Sequence, residues 1–231
     1  MTVAVPVPST SDAAWWVGCA CSASGLDLMA RSLGRTSTMP CSPPPTSLWP
    51  RRVSKTSRSW KDNLFATSLE PASFDLVHAR YEITPLGRGP EQMTTYLQLV
   101  RPGGTVVLED PDVASWHFNP PAPALEKLIT LIVEAFRRTG GDWDAGRKHL
   151  DLFGIFGIEA NVRAELFALA PGDPYLRLPL QFATALEGRL LSLMGAGELE
   201  RLRNDAEVEL NEPGRWGTTF TLIQSWGRRA G

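Results

Sequence analysis

The sequence has little cysteine, no long apolar run and, across one stretch, no acid. Its three cysteines, Cys19, Cys21 and Cys41, form neither the paired spacing of a zinc site nor an even disulfide framework. That predicts a reducing, cytoplasmic setting and no bound metal. No apolar run approaches the ~18 residues a membrane span needs, and the opening MTVAVPVPSTSDAAWW lacks the charged head and apolar block of a secretory leader. No membrane partner is expected. With a formal net charge of −2 and a pI near 6.0, the chain as a whole does not read as a nucleic-acid binder. At 231 residues it is long enough to bury a sizeable core as one unit.

Acids are missing where a folded domain would normally carry some. From Leu28 to Lys61 there are seven Lys and Arg and neither Asp nor Glu, and five prolines fall between Met39 and Lys61. Pro40 to Trp60 supports neither helix nor strand, although GLDLMARSLG ahead of it (25–34) has a short helical pattern. Two readings stand for residues 35–61: a disordered loop, or a segment translated out of frame. Ser, Pro, Thr, Arg and Trp are what GC-rich DNA yields when read in the wrong frame. Sequencing the source gene distinguishes the two, and an uninterrupted frame shared with close relatives would remove the second. A Ser/Arg-rich arm for nucleic acid has only charge and a lone Trp60 in its favour.

Beyond this stretch the pattern becomes regular. ASFDLVHAR (72–80) is a short apolar run between prolines and predicts a buried strand. GPEQMTTYLQLVRPGG places Met93, Leu97 and Val100 at helical spacing, with Pro90 near the start and Gly103-Gly104 as the stop. TVVLEDPD is a β-branched run ending in acids, so the three segments form a βαβ unit with a parallel, right-handed crossover. An amphipathic helix is predicted over 125–138 and another over 145–156. A strand follows at 162–169, then helices at 179–194 and 197–210, and a last strand in WGTTFTLIQSWGRR.

FDLVHAR followed at this spacing by LVRPGGTVVLEDPD resembles the class I S-adenosylmethionine-dependent methyltransferases. The resemblance covers roughly 63–229 and implies an α/β fold: a Rossmann-like, mostly parallel seven-stranded sheet with helices on both faces. FDLVHAR takes the place of the fourth strand, TVVLED of the fifth, and TFTLIQSWGRR of the last strand of an antiparallel pair. The organisation implied is a single methyltransferase-like domain over 1–231. Residues 1–62 within it are irregular, so the first two or three strands are disrupted, and a helical insertion lies on the substrate side at 120–157.

The family also implies sites. His78, Ala79 and Arg80 leave the carboxyl end of one strand, where the methionine part of the cofactor is met, because ligands of open α/β sheets bind beyond strand carboxyl ends. Glu109 and Asp110 leave the neighbouring strand on the substrate side, with Trp116 and His117 in the following loop. His117 and Asp110 are the candidate general bases. Asp62 or Asn63 stands where an adenine contact is expected. Gly18 and Cys19 match a GC turn, and Gly25 comes late in the glycine-rich loop. Trp16 replaces the acid ahead of that loop, and the ribose-binding acid is missing from 36–61. Two functions follow: methyl transfer from S-adenosylmethionine to a small, partly apolar acceptor, or a methyltransferase-like relic or scaffold that has lost its cofactor. The chain is expected to be a monomer or a homodimer.

Overall fold

The computed structural model describes residues 62–231, so the expectations on Gly18, Cys19, Gly25 and the 25–34 helix lie outside the described residues. The predicted βαβ unit is present. Strand β1 (Phe74–Arg80) leads through a short helix α1 (Ile83–Leu86) to α2 (Gly89–Leu99), and β2 (Val100–Asp112) returns parallel to β1. Pro90 sits in the first turn of α2, where its missing N–H costs nothing. Gly103 turns with φ +73, a conformation that glycine adopts without strain. Gly104 serves differently: a Cβ there would lie 2.8 Å from the Asp75 carbonyl oxygen, so the turn needs its bareness.

Strand β3 (His117–Asn119) follows, then α3 (Pro123–Arg137), a turn at Gly146–Lys148, and α4 (His149–Ile155). Strands β4 (Ala160–Glu165) and β5 (Ala168–Leu169) replace the single strand predicted over 162–169. The helix predicted over 179–194 is divided into α5 (Leu178–Ala185) and α6 (Glu187–Leu190). Helix α7 (Ala196–Leu210) precedes β6 (Trp216–Thr218) and β7 (Thr221–Arg228).

The main sheet has the order β1-β2-β7-β4, with β7 antiparallel to both of its neighbours, so β1, β2 and β4 run one way and β7 the other. Among the described residues this is a mixed four-stranded sheet rather than the seven strands expected. A second sheet, β3-β6-β5, is antiparallel. It forms because the chain leaves β2 through β3 and re-enters β7 through β6, which divides what the sequence presents as one terminal strand.

Two cores result. One face of the main sheet (Val77, Ala79, Val106, Leu108) packs on Met93, Tyr96 and Leu99 of α2 and on Leu152 and Phe153 of α4. The other core lies among α3, α5, α6 and α7, where Leu125, Leu128, Ile132 and Phe136 meet Ala183, Leu190, Leu199 and Ala206. Burying each such Leu or Ile contributes about 1.5–3 kcal/mol before chain entropy is counted. The start of α3 is capped from a distance, for Glu209 of α7 accepts from the backbone N–H groups of Ala124 and Leu125.

Candidate functional site

The carboxyl ends of β1 and β2 meet side by side, with Arg80 opposite Glu109 in register. Alternation along each strand then divides the polar residues between two faces. His78, Arg80 and Glu109 share one face, and Asp110 takes the other.

On the first face Glu109 is a hub. Its carboxylate lies 2.9 Å from Arg80 Nε, 3.3 Å from His78 Nε2 and 3.2 Å from Gln224 Nε2, the last donated from β7. Burial alone would raise its pKa. The hydrogen bond from His78 and the charge of Arg80 outweigh burial, so the carboxyl titrates below its usual 4.5 and stays ionised. Arg80 also lies over the Tyr81 ring, 5.1 Å from its centroid. Its side chain keeps about a third of its surface open to solvent, whereas Glu109 keeps 8%. The most accessible charge of the cluster is therefore cationic.

Tyr81 ends the strand with φ 54, a left-handed conformation uncommon for a bulky residue. Its N–H donates to the Glu109 carbonyl oxygen at 2.8 Å, which ties the turn to β2. Burial pushes its phenol pKa up, against the lowering effect of Arg80. The ring meets Phe220 edge-on at 6.4 Å, and Phe220 in turn packs on Trp116 and Trp143 at 5.5 and 5.6 Å.

On the second face Asp110 is fully buried. It accepts from the Thr84 backbone N–H at 2.9 Å and the Thr84 hydroxyl at 2.8 Å, and its other oxygen lies 3.3 Å from Nε2 of the equally buried His149. This joins α1, β2 and α4 behind the strand ends. Sequence reasoning missed His149 and Thr84, since nothing in their spacing links positions 26 and 39 residues from Asp110.

The remaining expected residues lie further apart. Ala79 is buried in the sheet core, Trp116 stacks on Trp143 at 5.8 Å within the aromatic core, and His117 is exposed on β3. Asp62 and Asn63 hold local turns. Asn63 accepts from the Phe65 N–H, while Asp62 accepts from Thr67 and Ser68, and the Thr67 hydroxyl lowers its pKa. Asp112 pairs with Arg147. Among the described residues no group of three or more His, Cys, Asp or Glu is placed to hold a metal, and no helix is long and apolar enough to cross a membrane.

No protein-family model matches the sequence, and no curated protein matches it. Several solved structures are similar in outline. YcgJ protein from Bacillus subtilis is 11% identical, with a TM-score of 0.42 over 73% of this chain and 69% of that one. A SAM-dependent methyltransferase from Thermotoga maritima is 11% identical, with a TM-score of 0.39 over 74% and 63%. Phosphoethanolamine N-methyltransferase 2 from Haemonchus contortus is 13% identical, with a TM-score of 0.37 over 73% of this chain and 36% of that longer one. At these values the likeness is one of outline alone.

Proposed function

We propose that the chain binds S-adenosylmethionine and transfers its methyl group to a small-molecule acceptor. The observation that carries this reading is the strand order: the last strand, β7, lies antiparallel beside β2, and a charged cluster gathers where β1 and β2 end. Both features agree with the resemblance carried by FDLVHAR and LVRPGGTVVLEDPD, and parallel strand ends are where open α/β sheets take ligands.

The donor set suits the cofactor's amino-acid end. A zwitterion has an ammonium and a carboxylate, and the cluster offers ionised Glu109 beside the Arg80 guanidinium. Arg80 would hold the carboxylate, and Glu109, with His78 and Gln224 fixing its orientation, would face the ammonium. When bound, the cofactor supplies an electrophilic methyl group on a sulfonium. The protein then has two tasks, to align the acceptor in line with the departing sulfur and to remove its proton. His117, exposed on β3, is the free-standing base candidate. Asp110 is assigned to positioning, because both its oxygens are engaged behind the sheet. Tyr81 and Phe220, both half-buried, would form the apolar wall against which the acceptor lies.

Calorimetric titration of the full chain with S-adenosylhomocysteine tests the reading. Micromolar binding is expected, weakened at least about tenfold by Arg80→Ala, the scale of a lost charge-assisted pair. A cooperatively folded chain that gives no heat would refute it.

A further inference from the structure

We propose that the chain forms a two-fold dimer by pairing β4 with β4 of a second copy, centred on Ala164. This rests on the outer edge of the main sheet and is independent of the activity proposed above.

Among the described residues β4 hydrogen-bonds to β7 on one side only, and residues 161–168, which run along it and just past its end, are exposed. An unpaired edge presents free backbone donors and acceptors and invites a further strand. Proteins commonly blunt such edges with short strands, prolines or like charges. This edge carries charges of opposite sign, Arg163 and Glu165, and large apolar side chains, Val162 on the strand and Leu166 and Phe167 just past its end, at 47%, 48% and 61% exposure.

The register follows from which side chains share a face. Val162 lies opposite Ser225 of β7, and Ser225 opposite core-facing Leu108, so Val162 and Ala164 are on the face that α4 covers. Arg163 and Glu165 take the other face, where they form an exposed ion pair at 3.4 Å. In a two-fold antiparallel pairing, opposed residues share a face and their numbers sum to twice that of the central residue.

Centred on Ala164, Arg163 meets Glu165 of the second copy and Glu165 meets its Arg163, giving a ring of four alternating charges. On the opposite face, with β4 extended by one residue past its end at Glu165, Val162 would meet Leu166, twice, across the small Ala164 pair. Cross-strand pairs of both kinds stabilise sheets. Other centres fare worse. Val162 at the centre opposes Glu165 to Glu159, Arg163 opposes arginine to arginine, and Glu165 opposes glutamate to glutamate. Asn161 at the centre would pair Arg163 with Glu159, but it leaves Leu166 and Phe167 in water. The Ala164 centre thus satisfies charge and apolar contact together.

The test is sedimentation velocity of the full chain at roughly 100 µM, where an interface of micromolar affinity is populated. The expected species has twice the 25.3 kDa chain mass. Arg163→Glu and Glu165→Arg should each weaken association at least about tenfold, since each sets two like-charge pairs across the axis. The double variant carrying both changes restores opposite charges and should restore the dimer. Val162→Lys, exposed in the monomer, should dissociate it by a separate route, and cooperative melting establishes that each variant is folded. A monomeric parent overturns the proposal. So does a dimer indifferent to the single changes, or a folded double variant that stays monomeric.

Discussion

Replacing Asp110 by alanine should destabilise the protein more than any other single change behind the strand ends. Asp110 accepts from the Thr84 N–H, the Thr84 hydroxyl and His149 Nε2, all buried. Alanine leaves the amide and the imidazole without a partner, each at about 1–3 kcal/mol, while the hydroxyl can rotate towards another acceptor. The sum is about 2–6 kcal/mol. For a domain of this size each kcal/mol lowers Tm by roughly 2–4 °C, so a fall of about 10 °C is expected. Asp110→Asn separates geometry from charge. Its carbonyl oxygen can keep both Thr84 contacts, and its amide can donate to Nε2 if His149 is neutral, so its loss should be near 1 kcal/mol. Urea unfolding of both variants decides the matter. A loss under about 1 kcal/mol for the alanine variant, or equal losses for the two, would refute the account of Asp110 as the acceptor that joins α1, β2 and α4.

Three further outcomes are expected. Because Glu109 titrates below 4.5 when folded, its contribution to stability is complete above that value and is lost as pH falls below it through the folded pKa. Glu109→Gln should therefore flatten the acid limb of a stability-pH profile, and an unchanged limb would show that the His78 and Arg80 contacts contribute nothing. Gly146→Ala should cost about 1–3 kcal/mol in denaturant unfolding, since its Cβ would fall 2.5 Å from the Asp110 carbonyl oxygen and 2.9 Å from Ile223 Cβ. Gly154→Ala, in helix α4 with open space around the added carbon, is the control and should not destabilise, gaining up to about 1 kcal/mol from helix propensity.

The parts of the fold legible in the sequence are those where one local signal suffices. Proline in the first turn of α2 marked where that helix begins, and the β-branched run in TVVLED marked a buried strand, but the helix ends at Leu99, so Val100 and the expected Gly103-Gly104 stop lie inside β2. Where two tertiary environments succeed one another inside one periodic run, the boundary was invisible. WGTTFTLIQSWGRR reads as a single strand, yet Trp216–Thr218 pairs with β3 and β5 while Thr221–Arg228 pairs with β2 and β4. The change of sheet falls at Thr219 and Phe220, residues of ordinary strand preference. The 179–194 segment divided for a similar reason, with Leu186 buried at the bend between α5 and α6.

The site was legible as strand ends and illegible as chemistry. EDPD announces acids at the end of β2, but alternation sends Glu109 and Asp110 to opposite faces, and only the partners brought by the fold assign their roles. Glu109 meets a guanidinium that remains a third exposed, so its charge is available beside an accessible cation. Asp110 meets Thr84 and His149 with no exposure at all, so its hydrogen bonds fix structure. Neighbouring carboxylates on one strand thus divide into one that, on the proposed function, would face ligand and one that holds the wall behind it. That division makes a KM-against-kcat comparison informative once an acceptor is found. Glu109→Gln should act chiefly on cofactor affinity, whereas Asp110→Asn, which touches no reacting atom, should lower Tm more than it changes either constant. An Asp110→Asn variant with unaltered melting but a collapsed kcat would reverse the assignment and return Asp110 to the reacting centre.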